Sequence, residues 1–130
     1  MLSILAFCVL VLSPISLSAG FRYHVDTKTG NKLGASTDSD IFIKIVGNKG
    51  ATGTHELASS GDDFESGNLD SFVINDSTDI GVPRTIRIYR TSTFLGNWYL
   101  EWVRVNYNEK QYLFRYNSWV PGRKWIDIEK

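Results

Sequence analysis

The chain has 130 residues, with 14 basic and 14 acidic side chains and one cysteine. A net charge of zero removes the electrostatic reason to coat nucleic acid, and this length suits a single core. The lone cysteine, Cys8, sits in the apolar start of the chain. Loss of that start leaves no thiol for a disulfide or a cysteine-ligated metal.

Residues 1–20 carry no charged side chain. Ile4, Leu10 and Leu12 lie in an apolar run broken at Pro14, and Ser16, Ser18, Ala19 and Gly20 follow as small residues. This is the layout of a secretory signal peptide, with cleavage expected after Ser18, Ala19 or Gly20. The apolar run is too short for a membrane anchor, which needs ~20 residues. The expected organisation is a signal peptide over residues 1–20 and one domain over residues 21–130, secreted to the extracellular side.

Helical spacing of apolar residues is absent beyond the leader, whereas short β-branched and aromatic runs recur between Gly, Asn, Asp and Ser clusters. The first strand is expected over 21–27, with Tyr23, Val25 and Thr27 on one face. The second, over 41–46, sets Ile41, Ile43 and Ile45 against Phe42 and Lys44. A short candidate over 54–58 follows, then 71–75 with Phe72 and Ile74 together. Residues 85–90 alternate with Ile86 and Ile88 inward, Arg87 and Tyr89 outward. The longest run is 98–107, and its parity breaks: Trp98 and Leu100 share one phase, Val103 and Val105 the other. A bulge near Glu101 or Trp102 would bring both pairs to the core. Residues 112–116 and 125–128 complete eight strands. Their spacing predicts an all-β fold, an eight-stranded antiparallel β-sandwich. Trp98, Tyr112 and Phe114 are expected in core or cross-strand packing.

Asp38 and Asp40 precede the second strand, while Asp62, Asp63 and Glu65 crowd a later loop. Solvated loop polarity is one explanation, since Asp and Ser are ordinary turn residues. Calcium is the other: it takes oxygen ligands from carboxylates, carbonyls and water, and the backbone at Gly34, Ala35 and Ser36 could turn carbonyls inward. Zinc fits poorly, because His24 and His55 are isolated and read as ordinary strand residues. Phe94 and Leu95 are large apolar residues within a polar loop. They either fold back on the sandwich or contact something apolar, and Leu33 and Trp119 join them as candidates. Asn75, Asp76 and Ser77 form a glycosylation sequon, with Asn75 as acceptor. Lys and Arg are scattered along the chain apart from Arg123 and Lys124, so no polybasic membrane anchor is expected.

Five segments, in order, resemble the PLAT domain, the β-sandwich module of polycystin-1, lipoxygenases and alpha-toxin. They are Tyr23-His-Val-Asp-Thr with the run from Leu33 to Gly47; Phe64-Glu-Ser-Gly-Asn-Leu-Asp-Ser-Phe72; Asp79-Ile-Gly81 with Thr85-Ile-Arg-Ile88; Trp98-Tyr-Leu-Glu-Trp-Val-Arg-Val105; and Tyr112-Leu-Phe-Arg-Tyr-Asn-Ser-Trp119. The resemblance implies a calcium site drawn from Gly34, Ser36, Thr37, Asp38, Asp40, Asp62, Asp63, Glu65 and Asn97. Where the family often carries an acid in the third loop, this chain has Asn97, a neutral oxygen donor, so weaker binding is implied. It also implies that Leu33, Phe94, Leu95 and Trp119 lie near the acidic loops and contact lipid or a partner.

The function expected is therefore that of a free-standing, secreted, monomeric PLAT-like module. It would bind membrane surfaces or lipids with the help of calcium; a protein-interaction module of the same fold is the alternative. No enzyme is expected, because a Gly-x-Ser-x-Gly elbow and a His-Glu-x-x-His helix are both missing.

Overall fold

A computed structural model describes residues 20–92 and 96–130. The expected leader, but for Gly20, and the loop residues Phe94 and Leu95 lie outside the described residues. Among those described there are eight strands: β1 (Phe21–Thr29), β2 (Ile41–Gly47), β3 (His55–Glu56), β4 (Leu69–Asp76), β5 (Pro83–Arg90), β6 (Trp98–Tyr107), β7 (Lys110–Val120) and β8 (Trp125–Glu129). They form two four-stranded sheets, ordered β4-β1-β6-β7 and β3-β2-β5-β8, with every strand pair antiparallel.

Period-two alternation drives this arrangement, because each strand turns one row of apolar side chains inward. One inner face is built on Tyr23, Val25, Phe72, Ile74, Trp98, Leu100, Val103, Val105 and Phe114. The isoleucines of β2 and β5, with Ile128, make the other. Tyr112 is half-buried and packs against this cluster.

The parity break in β6 is resolved by a bulge. Adjacent Lys28 and Thr29 on β1 face Trp102 and Leu100, which leaves Glu101 as the extra residue. The β6–β7 register shifts at the same point, where Asn117 takes a positive φ of 50°. That device lets Leu100 and Val103 both point into the core.

Strand lengths depart from the sequence expectation in two directions. β7 runs on to Val120, because its inward parity continues past the polar Asn117 and Ser118. β3 shrinks to two residues, because Leu57 turns inward with its amide on the Ile41 carbonyl and the chain leaves the sheet.

The registers place three connections at one pole, residues 30–40, 57–68 and 121–124, together with Thr91, Ser92, Gly96 and Asn97 between β5 and β6. At the opposite pole, His55 Nε2 lies 2.7 Å from Asp76 Oδ2, and the amides of Gly53 and Thr78 donate to the same carboxylate at 2.9 Å each. His55 is thus a strand residue with a structural partner. Burial acts to raise the Asp76 carboxyl, but the bonds from His55, Gly53 and Thr78 outweigh it and hold it below the usual carboxylate range. Asp76 therefore contributes stability that is complete above its unfolded value of about 3.9 and is lost as pH falls through its lower folded value. Urea midpoints should fall on acidification below about pH 4. Asp76→Asn should lower the midpoint at neutral pH and flatten that acid limb; parallel curves would refute this assignment.

Candidate functional site

The loop pole is organised by backbone contacts between its connections. Gly30 donates to the Tyr99 carbonyl at 2.8 Å, and a Cβ at Gly30 would come within 2.5 Å of the Tyr99 ring, so only glycine fits. Tyr99 in turn donates to the Ala35 carbonyl at 3.1 Å. Ser66 Oγ reaches the Gly30 carbonyl at 3.2 Å, and the Thr37 amide reaches the Phe64 carbonyl at 3.3 Å. Loop 30–40 is thereby fastened directly to loop 57–68.

Phe64 anchors the acidic loop from beneath. Its ring is buried between Phe72 and Trp98, at centroid distances of 5.7 and 5.0 Å. Its backbone takes a φ of 63°, uncommon outside glycine, and its amide is held by Asp70 Oδ2 at 2.9 Å. Burial pushes the Asp70 carboxyl up, against the pull of the Phe64 amide, and the nearby Asp63 charge adds to the rise.

These anchors bring the expected acidic residues to one place. Asp38, Asp40, Asp62 and Asp63 line a cleft of about 180 Å³ together with Thr37 and Glu56. Asp38, Asp40 and Asp62 are exposed; Asp63 is half-buried and accepts from Ser59 through its amide at 2.8 Å and its hydroxyl at 2.5 Å. Thr37 is buried, and its hydroxyl donates to the Gly96 carbonyl at 3.2 Å while accepting from the Ser39 amide. It ties loops together as much as it faces the cleft.

The remaining expected ligands share the pole but do not line the cleft. Gly34 is at an exposed turn with a φ of 77°, next to Leu33. Ser36 presses its carbonyl toward Gly96, where a Cβ would sit 2.9 Å away. Glu65 is half-buried and uses its carbonyl to hold the Asn68 amide at 3.0 Å. Asn97 is exposed at the start of β6.

The donor set is oxygen throughout, which suits a hard cation such as calcium rather than zinc. The carboxylates surround the cleft without converging: among the described residues, no three acidic, histidine or cysteine side chains stand close enough to hold an ion as placed. Calcium fits the chemistry of the cleft, and closing a coordination sphere there requires the exposed Asp38, Asp40 and Asp62 to swing inward.

Two residues escaped the sequence reading. Glu56 lines the cleft from β3, outside the acidic loop that drew notice. Arg90 is buried at the pole without a carboxylate partner among the described residues. Its Nε donates to the Val120 carbonyl at 3.0 Å, and its Nη1 to the carbonyls of Gly96 at 2.8 Å and of Ser92. Burial pulls the guanidinium below its ordinary value. The parity of Ile86 and Ile88 already places residue 90 inward, so the signal was present in the sequence.

Of the apolar candidates, Leu33 is 100% exposed and Trp119 42%. Trp119 meets Tyr99 edge-on at 5.1 Å, and Lys32 Nζ lies 4.9 Å above the Tyr99 ring. Leu33 and Trp119 thus belong to the acidic pole. Asn75 is exposed on β4 toward the opposite pole.

The PLAT/LH2 domain family matches residues 23–126. The human lipoxygenase homology domain-containing protein 1 is 32% identical over 111 residues, covering 83% of this chain and 5% of that protein. The mouse polycystin family receptor for egg jelly is 28% identical over 111 residues, covering 81% of this chain and 5% of its own length. The chain therefore spans about a twentieth of these relatives. The crystal structure of coral 8R-lipoxygenase superposes with a TM-score of 0.74 at 26% identity, covering 83% of this chain and 16% of that one. The family match, the sequence identity and the superposition agree, and the chain belongs to the PLAT/LH2 domain family.

Proposed function

We propose that this protein is a PLAT module that attaches to membrane lipid at its loop pole, with calcium drawing the acidic loops together. Residues 1–20 act as a cleaved signal peptide in this reading, so the domain of residues 21–130 works outside the cytosol as a binding protein rather than an enzyme. The observation that carries it is the meeting of four cleft-lining aspartates with a fully exposed Leu33 and a half-exposed Trp119 at one pole. Bound calcium would neutralise those aspartates and lower the cost of bringing them against phospholipid. Leu33 and Trp119 would supply the apolar contact, and Phe94 and Leu95, taken from the sequence alone, would add to it. Each such side chain contributes ~1.5–3 kcal/mol when fully withdrawn from water. The coral 8R-lipoxygenase, described as activated by calcium through a C2-like domain, supports the reading by analogy.

Co-sedimentation with phosphatidylcholine vesicles tests it. Binding should appear with millimolar calcium and vanish with chelator. Leu33→Ser combined with Trp119→Ala should weaken it at least tenfold, on the order of the apolar contact removed. Calcium-independent binding that ignores both substitutions would instead favour the protein-interaction reading of the same pole.

A further inference from the structure

The charges that cancel over the whole chain do not cancel on each surface. Alternation along β1 turns Arg22, His24, Asp26 and Lys28 to the outside of the β4-β1-β6-β7 sheet, opposite the buried Tyr23, Val25 and Thr27. The registers then align two rows across that face: Ser71, Asp26, Arg104 and Leu113 in one, Leu69, Lys28, Trp102 and Arg115 in the next. Cations separated by up to 93 positions in sequence are thereby gathered on one plane.

The carboxylate in these rows is already consumed. Asp26 is 8% exposed; it accepts from Arg104 Nε at 2.9 Å, Asn106 Nδ2 at 3.2 Å and Ser71 Oγ at 2.6 Å, and Arg104 Nη2 stands 2.9 Å away. Arg22, Lys28 and Arg115 make no ion pair among the described residues, although the half-buried Lys28 Nζ donates to the Gly67 carbonyl at 2.6 Å. On the edge strand beside β1, Leu69 and Val73 remain about half exposed, at 52% and 51%. The rows run on, past the β6 bulge, to Tyr99 and Trp119, and Lys32, the chain neighbour of Leu33, sets its Nζ over the Tyr99 ring at the loop pole.

We propose that this sheet face is an electrostatic docking surface for a bilayer of anionic phospholipid. The proposal rests on the membrane reading of the pole and names the lipid charge that reading leaves open. Three features favour a bilayer over an acidic protein. The cations without a carboxylate partner are spread over three strands of the sheet rather than focused on a pocket, which matches laterally diffuse headgroup charge. Trp102, half-buried beneath Arg104 at 5.1 Å, and the half-exposed Trp119 are amphipathic side chains of the kind that settle at a membrane–water boundary. The face is also continuous with the exposed Leu33 and Trp119, so one tilt of the domain presents both to the same membrane.

The test uses the purified protein and two vesicle compositions, phosphatidylcholine alone and phosphatidylcholine with about a third phosphatidylserine, in chelator at low salt. Binding to the anionic vesicles should persist without calcium and weaken steeply as salt is raised. The triple variant Arg22→Gln, Lys28→Gln, Arg115→Gln should lose about fivefold per charge, roughly a hundredfold in all. A control triple on other surfaces, Lys44→Gln, Arg84→Gln, Lys130→Gln, has the same net charge and should lose little. Equal loss in both triples would reduce the effect to net charge and overturn the assignment. Calcium-dependent binding to phosphatidylcholine with no gain from phosphatidylserine would sink this face while leaving the pole intact, and would assign the cations to an acidic protein partner. No binding to either vesicle, with or without calcium, would sink both.

Discussion

Trp98→Ala is expected to cost about 3–5 kcal/mol, a large share of the stability of a domain this size. The indole is fully buried, and its Nε1 donates to Thr29 Oγ1 at 2.9 Å inside the core. Truncation opens a cavity beneath Phe64 and strands the Thr29 hydroxyl. The loss should extend beyond stability, because Phe64 is the buried foot of the loop that carries Asp62 and Asp63. Chemical denaturation measures the first effect. Calcium affinity of the folded fraction measures the second, and should fall. Trp98→Phe keeps much of the packing but loses the N–H, and should cost about 1–2 kcal/mol. A Trp98→Ala loss below about 1 kcal/mol would mean that the pole does not rest on this side chain.

Arg90→Met carries the second large expectation, a loss of about 2–4 kcal/mol. Methionine fills similar volume, so the cost comes from the carbonyls of Ser92, Gly96 and Val120, which lose a shared donor. Those carbonyls belong to the connection before β6 and to the end of β7. Arg90 thus crosses from one sheet to the other at the pole and holds its loops without any acid. Arg90→Lys should recover little, because a single ammonium cannot reproduce the planar fork that reaches several carbonyls at once. Full recovery of the urea midpoint by lysine would show that charge, not geometry, is what the site requires.

Much of this architecture was legible in the chain because period-two alternation leaves a strong trace. Ile41, Ile43 and Ile45, or Ile86 and Ile88, share one face only as a strand, and that face is the buried one. The β6 bulge was legible for the same reason, since Leu100 and Val103 could not both face inward without an inserted residue. Strand ends were harder. β3 stops at Glu56 because Leu57 leaves the sheet to cover the core, a tertiary choice without a local signature. β7 continues to Val120 because polar Asn117 and Ser118 are tolerated on a paired strand.

The site was legible in part. The aspartates of two loops were marked by their crowding, and the antiparallel registers carry both loops to one pole. Glu56 went unnoticed because a lone acid on a strand has no pattern to betray it. Arg90 was not singled out, although the parity of Ile86 and Ile88 points it inward. The cationic sheet face was the least readable feature. Arg22, Lys28, Arg104 and Arg115 look scattered in sequence, and the expected lack of a polybasic anchor followed from that scatter. Pairing of β1 with β6, and of β6 with β7, turns scatter into a surface.

Calorimetric titration of calcium into the purified protein tests the central claim most directly. Saturable binding in the range of ~10⁻⁴–10⁻³ M is predicted, weakened at least tenfold by Asp38→Asn with Asp62→Asn while the far-ultraviolet spectrum stays unchanged. A folded protein that takes up no calcium at these concentrations, or one whose affinity is indifferent to both substitutions, would contradict it.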